Sequence, residues 1–406
     1  MHVAINAQLL SFSQNYRNGG ISRYIRSLLV GLAEWLQTDE EAGQDIEKTH
    51  ARRDYKFTIF VNGEDVVERL AAIHPQMSYV AVPWSESRPT SRIAWEQLKL
   101  PSLLRKRHVD VLHSPANVLP ALLPSTCAGV VTLHDLAFLQ FPDVLTHAKR
   151  LYHRSFTIRS IKRATRIISV SESTRKDVMK LVGIGGERVQ TVYPCIDKRF
   201  SNVIGEKEIA AFRERHGLRQ GFVLYLGTLE PRKNLITLIE AYARLRTEYA
   251  REEKLVIAGG RGWMYKAIFE KVQELGLGSE VIFPGFVADE ELVLWYRVAS
   301  AFMYPSLYEG FGLPVAEALA CGTPVVTSNV SSLPEAGADI ALTIDPGDVR
   351  AMEEGMYKAL TDEVLRQRCQ AMAPIVTQRF SAQAMVERTV SVYEQAFRTA
   401  ARVAPT

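Results

Sequence analysis

Ala301-Phe-Met-Tyr-Pro-Ser-Leu-Tyr-Glu-Gly-Phe-Gly-Leu-Pro-Val-Ala-Glu-Ala-Leu-Ala-Cys-Gly-Thr-Pro-Val-Val326 passes from a short apolar run through a glycine-rich loop into a helix. The run 301–304 reads as a buried strand, Pro314 stands where proline opens a helix, and Gly322 stands where glycine closes one. That placement puts Glu317 in the first helical turn and Glu309 in the loop before it. The amides of Gly310, Phe311, Gly312 and Leu313 converge on the helix N-terminus, where unpaired N–H groups and the positive end of the helix dipole favour an anion such as a diphosphate. Two carboxylates beside such a loop accept hydrogen bonds from hydroxyls, which apolar loop residues do not.

Outward from this stretch, apolar runs bounded by turn residues alternate with segments of helical period, the pattern of parallel α/β domains. Strands are predicted at 2–7, 57–61, 78–82, 109–112, 129–133, 166–170 and 189–192, and again at 222–226, 254–258, 280–283, 301–304, 324–327 and 341–344. The pattern pauses between 194 and 205, so two domains are expected, 1–200 and 201–381. A length of 406 residues agrees with more than one core. The polar stretch 37–55 reads as a surface insertion, and a last helix is expected over 382–400.

Hydrophobic residues make up 47% of the chain and charged residues 23%, a globular composition. No apolar run approaches the ~20 residues that span a bilayer. The N-terminus begins directly as a strand, without the basic and apolar regions of a signal peptide, and Cys127, Cys195, Cys321 and Cys369 follow no metal-ligand or disulfide spacing. Both features predict a cytoplasmic protein. The net charge of +4 is modest, and no nucleic-acid partner is expected. The segment 147–166 carries Lys149, Arg150, Arg154, Arg159, Lys162, Arg163 and Arg166 without an acid, interleaved with apolar residues. As an amphipathic helix it would suit an anionic acceptor or the inner face of the plasma membrane; as a solvated helix packed on its own domain it explains the same letters. The stretch 98–108, with Arg105-Lys-Arg-His108, is a weaker candidate of the same kind.

The spacing of Glu309 and Glu317, with seven residues between them, resembles the signature of retaining glycosyltransferases of family 4. The resemblance covers nearly the whole chain and implies a GT-B architecture: two Rossmann-like domains facing across a cleft, with 382–406 crossing back to the first. It also implies that Glu309 contacts the transferred sugar, Glu317 holds the nucleotide ribose, and residues 310–313 contact sugar and phosphate.

Four further loops follow predicted strands, where open parallel sheets bind ligands. Gly19 and Gly20 open a helix without side-chain obstruction, and their family counterpart lies near the donor phosphates or the acceptor. His134 ends the strand 129–133 and matches the histidine that contacts the donor sugar, with Asp135 placed to orient the imidazole or the acceptor hydroxyl. Gly227-Thr-Leu-Glu-Pro-Arg-Lys-Asn234 follows the first strand of the second domain and resembles a loop of the mannosyltransferase branch that builds bacterial polysaccharides, including lipopolysaccharide. Some members carry an arginine where this chain has Thr228, so the phosphate grip rests on Arg232 and Lys233. A fourth loop, Phe283-Pro-Gly-Phe-Val287, lies beside the nucleotide base in the family, and its side chains do not decide which base.

The reading that follows is a metal-independent, retaining transfer of a hexose, mannose from GDP-mannose, to a glycan or lipid-linked acceptor. No Asp-x-Asp motif occurs, and the acidic pair Glu40-Glu41 lies in the polar insertion, so nothing in the sequence requires a metal or another cofactor. A UDP-sugar is the alternative donor, and a non-catalytic sugar-nucleotide-binding protein is the alternative of another class. A dehydrogenase is disfavoured because no strand is followed by G-x-G-x-x-G with a distant acid, and a phosphorylase because no pyridoxal lysine is evident.

Overall fold

The computed structural model describes residues 1–12, 19–37, 54–82, 89–141, 153–218 and 221–403. The expected insertion at 37–55 falls almost wholly outside these residues, as does the pair Glu40-Glu41. The chain divides into two compact units, Met1–Cys195 with Ala382–Thr406, and Ile196–Ser381.

In the first unit β1 (His2–Asn6), β2 (Lys56–Asn62), β3 (Ser78–Val82), β4 (Val111–Ser114), β5 (Ala128–Leu133), β6 (Arg166–Ser169) and β7 (Val189–Thr191) form one sheet. Its order is β3-β2-β1-β4-β5-β6-β7, every pair parallel. The central strands are continuous buried runs rather than alternating ones, as a sheet covered on both faces requires. The helix Gly20–Gln37 lays Tyr24, Ile25, Leu28, Leu29 and Leu32 on the core. The helix Ala382–Val403 belongs to this unit: it packs on Gly20–Gln37 and on β4, β5 and β6. The two helices approach closely at Gly31, where a Cβ would lie 2.7 Å from Val386 Cγ2.

The second unit repeats the plan with β8 (Phe222–Leu226), β9 (Lys254–Ala258), β10 (Val281–Gly285), β11 (Ala301–Tyr304), β12 (Val325–Ser328) and β13 (Leu342–Ile344), ordered β10-β9-β8-β11-β12-β13 and all parallel. In each sheet the strand order reverses once, between β1 and β4 and between β8 and β11. Such reversal points open a crevice at the carboxyl ends of the strands. At the second one, Ala301 pairs with Val223 and Phe302 with Leu224. This register brings the loops after β8 and β11 side by side.

Three expectations are corrected. The first unit ends at Cys195 rather than at 200, because the turn Lys198–Ser201 packs on helices of the second unit and Ile196 N donates to Phe380 O at 2.8 Å. The basic segment is helical over less of its length than expected: residues 147–152 lie outside the described ones, His153–Thr157 is a π-helix that runs directly into the helix Ile158–Arg163, and Arg166 already belongs to β6. Arg188 ends that helix by donating to the carbonyls of Ile161, Lys162 and Ala164. Glu317, finally, is the fifth residue of the helix Leu313–Ala320, one turn later than expected.

Candidate active site

The loop after β8 folds as a single 3-10 turn, Pro231–Lys233, opened by Pro231 and ended by Asn234 in the left-handed region (φ 60°). Asn234 is anchored by its Nδ2 donating to Pro346 O at 2.7 Å and its Oδ1 accepting from Thr237. The turn points two cations at the loop after β11. Lys233 Nζ donates to Glu309 Oε1 at 2.5 Å and to the Tyr304 hydroxyl at 2.9 Å, and Arg232 NH1 lies 3.1 Å from Glu309 Oε2. Both oxygens of one carboxylate are therefore taken by the two cations that the sequence singled out. Lys233 is 7% exposed and Glu309 9%. Ser331 and Ser332 fix the Glu309 main chain, Oγ of the first accepting from its N–H and Oγ of the second donating to its carbonyl.

Burial alone pushes the Glu309 carboxyl up; Lys233 and then Arg232 outweigh burial and hold it down at about 2. A folded-state value below the unfolded one makes stability complete above the unfolded pKa and removes it as pH falls through the folded one. Wild type should therefore lose about 2–3 kcal/mol more than Glu309→Gln between pH 4.5 and pH 2. Urea unfolding across that window measures the difference; equal slopes would remove the ion pair from the acid-stability account.

Gly312, in the left-handed region (φ 99°), turns the chain into the helix Leu313–Ala320, and a Cβ there would meet Leu333 Cδ2 at 2.7 Å. Gly310, Phe311 and Gly312 are buried, and Phe311 packs edge-on to Phe380. Glu317 is fully enclosed, its Oε2 accepting a hydrogen bond from the Tyr296 hydroxyl at 2.9 Å. Val287 follows β10, next to Phe286, which is half exposed. Within this unit the structure thus joins Arg232, Lys233 and Glu309 and holds Glu317 separately. Tyr304, Tyr296 and Glu230 were not singled out from sequence. Only Tyr304 carried a signal, as the last residue of a strand that leads into the motif.

In the first unit His134 follows β5. Its Nε2 lies 2.7 Å from Pro115 O, its N–H donates to Asn117 Oδ1, and Tyr24 meets its ring edge-on at 4.9 Å. A carbonyl partner makes Nε2 the protonated nitrogen, which leaves Nδ1 as an acceptor in the neutral ring. Burial lowers the His134 pKa, opposed by the Pro115 carbonyl and Asp135. The Asp135 carboxylate accepts from Ala137 N at 3.1 Å. Behind His134, His113 joins Tyr393 (2.7 Å) and Thr132 (2.8 Å), and burial pushes its pKa down to about 3. Gly20 begins the helix Gly20–Gln37 with Gly19 just ahead of it, both exposed, while Asn18 lies outside the described residues.

Residues 44–200 match the family described as Glycosyltransferase Family 4, and residues 206–375 match Glycosyl transferases group 1. The O-antigen chain mannosyltransferase B of Escherichia coli is 31% identical over 284 residues, 70% of this chain and 74% of that protein. The serotype-specific mannosyltransferase WbdA of Escherichia coli is 33% identical over 229 residues, 54% of this chain and 27% of that longer protein. Among solved structures, Anabaena HepE in complex with UDP and glucose aligns with a TM-score of 0.71 at 16% identity, over 97% of this chain and 99% of that one. That likeness shows the fold, the GT-B pairing of two Rossmann-like domains. The protein is a glycosyltransferase. It belongs to the family 4 and group 1 glycosyltransferases.

Proposed function

We propose that this enzyme transfers mannose from GDP-mannose, with retention and without a metal ion, onto a hydroxyl of a glycan or lipid-linked polysaccharide acceptor. The observation that carries the reading is the pairing of Lys233 and Arg232 on Glu309 at the strand-order reversal of the second unit. As the bond from the anomeric carbon to the phosphate oxygen breaks, negative charge builds on the leaving diphosphate. Two fixed cations beside it lower that barrier in the way a metal would. In this reading Glu309 holds the cations ready and touches the sugar, and His134 offers its neutral Nδ1 to a sugar hydroxyl. Mannose is supported by the names of the relatives above.

The test is a calorimetric and thermal-shift panel of GDP-mannose, UDP-glucose, UDP-N-acetylglucosamine and NAD, each with magnesium and with EDTA. Stabilisation by GDP-mannose that survives EDTA is the expected result. Stabilisation only by a UDP-sugar would replace the donor, a requirement for magnesium would overturn metal independence, and no sugar-nucleotide binding would overturn the roles of Lys233 and Glu309.

Glu317 is proposed to hold the ribose hydroxyls, with Tyr296 fixing its Oε2. Because the carboxylate is enclosed, the contact requires the neighbouring loop to open when donor binds. Removing one neutral hydrogen bond costs about 1 kcal/mol, so Tyr296→Phe should raise the donor Kd roughly fivefold and leave kcat at saturating donor unchanged. Among the described residues no helix is long and apolar enough to cross a membrane. Arg154, Arg159, Lys162 and Arg163 are exposed and are the described part of the segment proposed to meet anionic lipid. Vesicle flotation that ignores salt would sink that part of the proposal.

A further inference from the structure

Arg232 is held from two sides. Its Nε and NH2 both donate to Glu230 Oε1, at 3.2 and 2.8 Å, while its NH1 donates to Tyr308 O at 2.5 Å and lies 3.1 Å from Glu309 Oε2. Glu230 stands in extended conformation (φ −148°, ψ 157°) immediately before the turn that carries both cations, and its carbonyl accepts from Lys233 N at 3.0 Å. Its side chain is 16% exposed, so the contact is largely screened from water. One residue thus touches the side chain of one cation and the main chain of the other.

We propose that Glu230 is a positioning residue: it grips the inner edge of the Arg232 guanidinium so that NH1 alone is presented toward Glu309. A guanidinium is a planar fork, and fixing one edge fixes the direction of the remaining donor. Without Glu230, Arg232 keeps its charge and its contact with the Tyr308 carbonyl but loses the grip on its inner edge, so the guanidinium can turn about its Cδ–Nε bond and pair edge-on with the other nearby carboxylate, Glu309. An incoming diphosphate would still be attracted, so ground-state binding changes little. The donor that must meet the charge developing during bond cleavage would be out of place, and misplacement on the scale of an ångström costs about a hundredfold in rate. The inference rests on the reading of Arg232 as a contact of the leaving phosphate.

The experiment compares wild type, Glu230→Ala, Glu230→Gln, Arg232→Ala and the Glu230→Ala/Arg232→Ala double variant in steady-state transfer from the donor identified above. Glu230→Ala is expected to lower kcat about tenfold to a hundredfold with the donor KM within roughly threefold of wild type. Glu230→Gln retains the Oε1 acceptor and should recover most of kcat, and Glu230→Ala should add no further loss once Arg232 is absent. A merely structural contact would move KM, kcat and Tm together and would not depend on Arg232. Wild-type kcat in Glu230→Ala, or an additive loss in the double variant, overturns the proposal. A wild type that transfers from no sugar nucleotide overturns the functional reading and this inference with it, whereas active wild type with equally active Glu230→Ala overturns the inference alone.

Discussion

Lys233→Ala is expected to lower kcat by about 10²–10³-fold, the cost of losing one fixed charge donor at the point where transition-state charge develops. The donor Kd should rise far less, because Arg232 and the loop around it still attract the diphosphate. The same change is expected to weaken the fold. Lys233 is buried, with its ammonium shared between Glu309 and Tyr304, and its removal leaves a buried carboxylate with one cation in place of two. Breaking a buried pair from one side costs about 3–5 kcal/mol, and the remaining Arg232 contact should bring the loss toward the lower figure. Pairing Lys233→Ala with Glu309→Gln separates the two effects: the second change should return stability and should not return rate. A folded Lys233→Ala enzyme with kcat within tenfold of wild type would show that the leaving group is stabilised elsewhere.

The second large effect is purely steric. Gly259, after β9, has φ +141°, and a Cβ built on it would lie 1.9 Å from the Gly227 carbonyl oxygen and 2.7 Å from its carbon. Those are main-chain atoms, so no side-chain rotation relieves the clash. Gly259 N also donates to Gly285 O at 2.7 Å, and Leu229 N donates to Gly260 O at 2.9 Å, so the loops after β8, β9 and β10 are stitched together at this point. Gly259→Ala must therefore either break the stitching or displace the loop that carries Arg232 and Lys233. Strain at the disfavoured φ and forced main-chain movement together are worth about 3–5 kcal/mol. The expected result is a lower unfolding midpoint for the second unit, with transfer impaired in whatever fraction stays folded. An alanine variant with wild-type stability would mean that the two loops are not in contact in solution.

Each of the thirteen described strands overlaps a predicted one, and the central ones were the most legible because parallel strands buried on both faces write themselves as continuous apolar letters. Pro314 and Gly322 marked the ends of their helix for equally local reasons. The pairing of Lys233 with Glu309 spans 76 residues, and the sequence offered it only as two loops expected to end on neighbouring strands. The hydrogen bond from Tyr296 to Glu317 had no such signal. Tyr296 lies in the helix Leu292–Val298 among apolar neighbours and reads as core packing, which its burial also serves. The basic segment misled only at its end: its apolar residues suited a helix running to Arg166, whereas Ala164 turns extended (φ −56°, ψ 136°) and Arg188 takes the last carbonyls, so the helix ends at Arg163.

The helix Ala382–Val403 gives the first unit a peculiar history. Tyr393, which hydrogen-bonds His113 behind the His134 loop, and Val386, which meets Gly31, reach their places only after residues 196–381 have left the ribosome. The second unit is an uninterrupted stretch of chain and is free to fold while translation continues, whereas the first must wait with an apolar groove open along Gly20–Gln37. A release of the nascent chain short of this helix would leave the nucleotide-proposed half formed and the other half a client for chaperones.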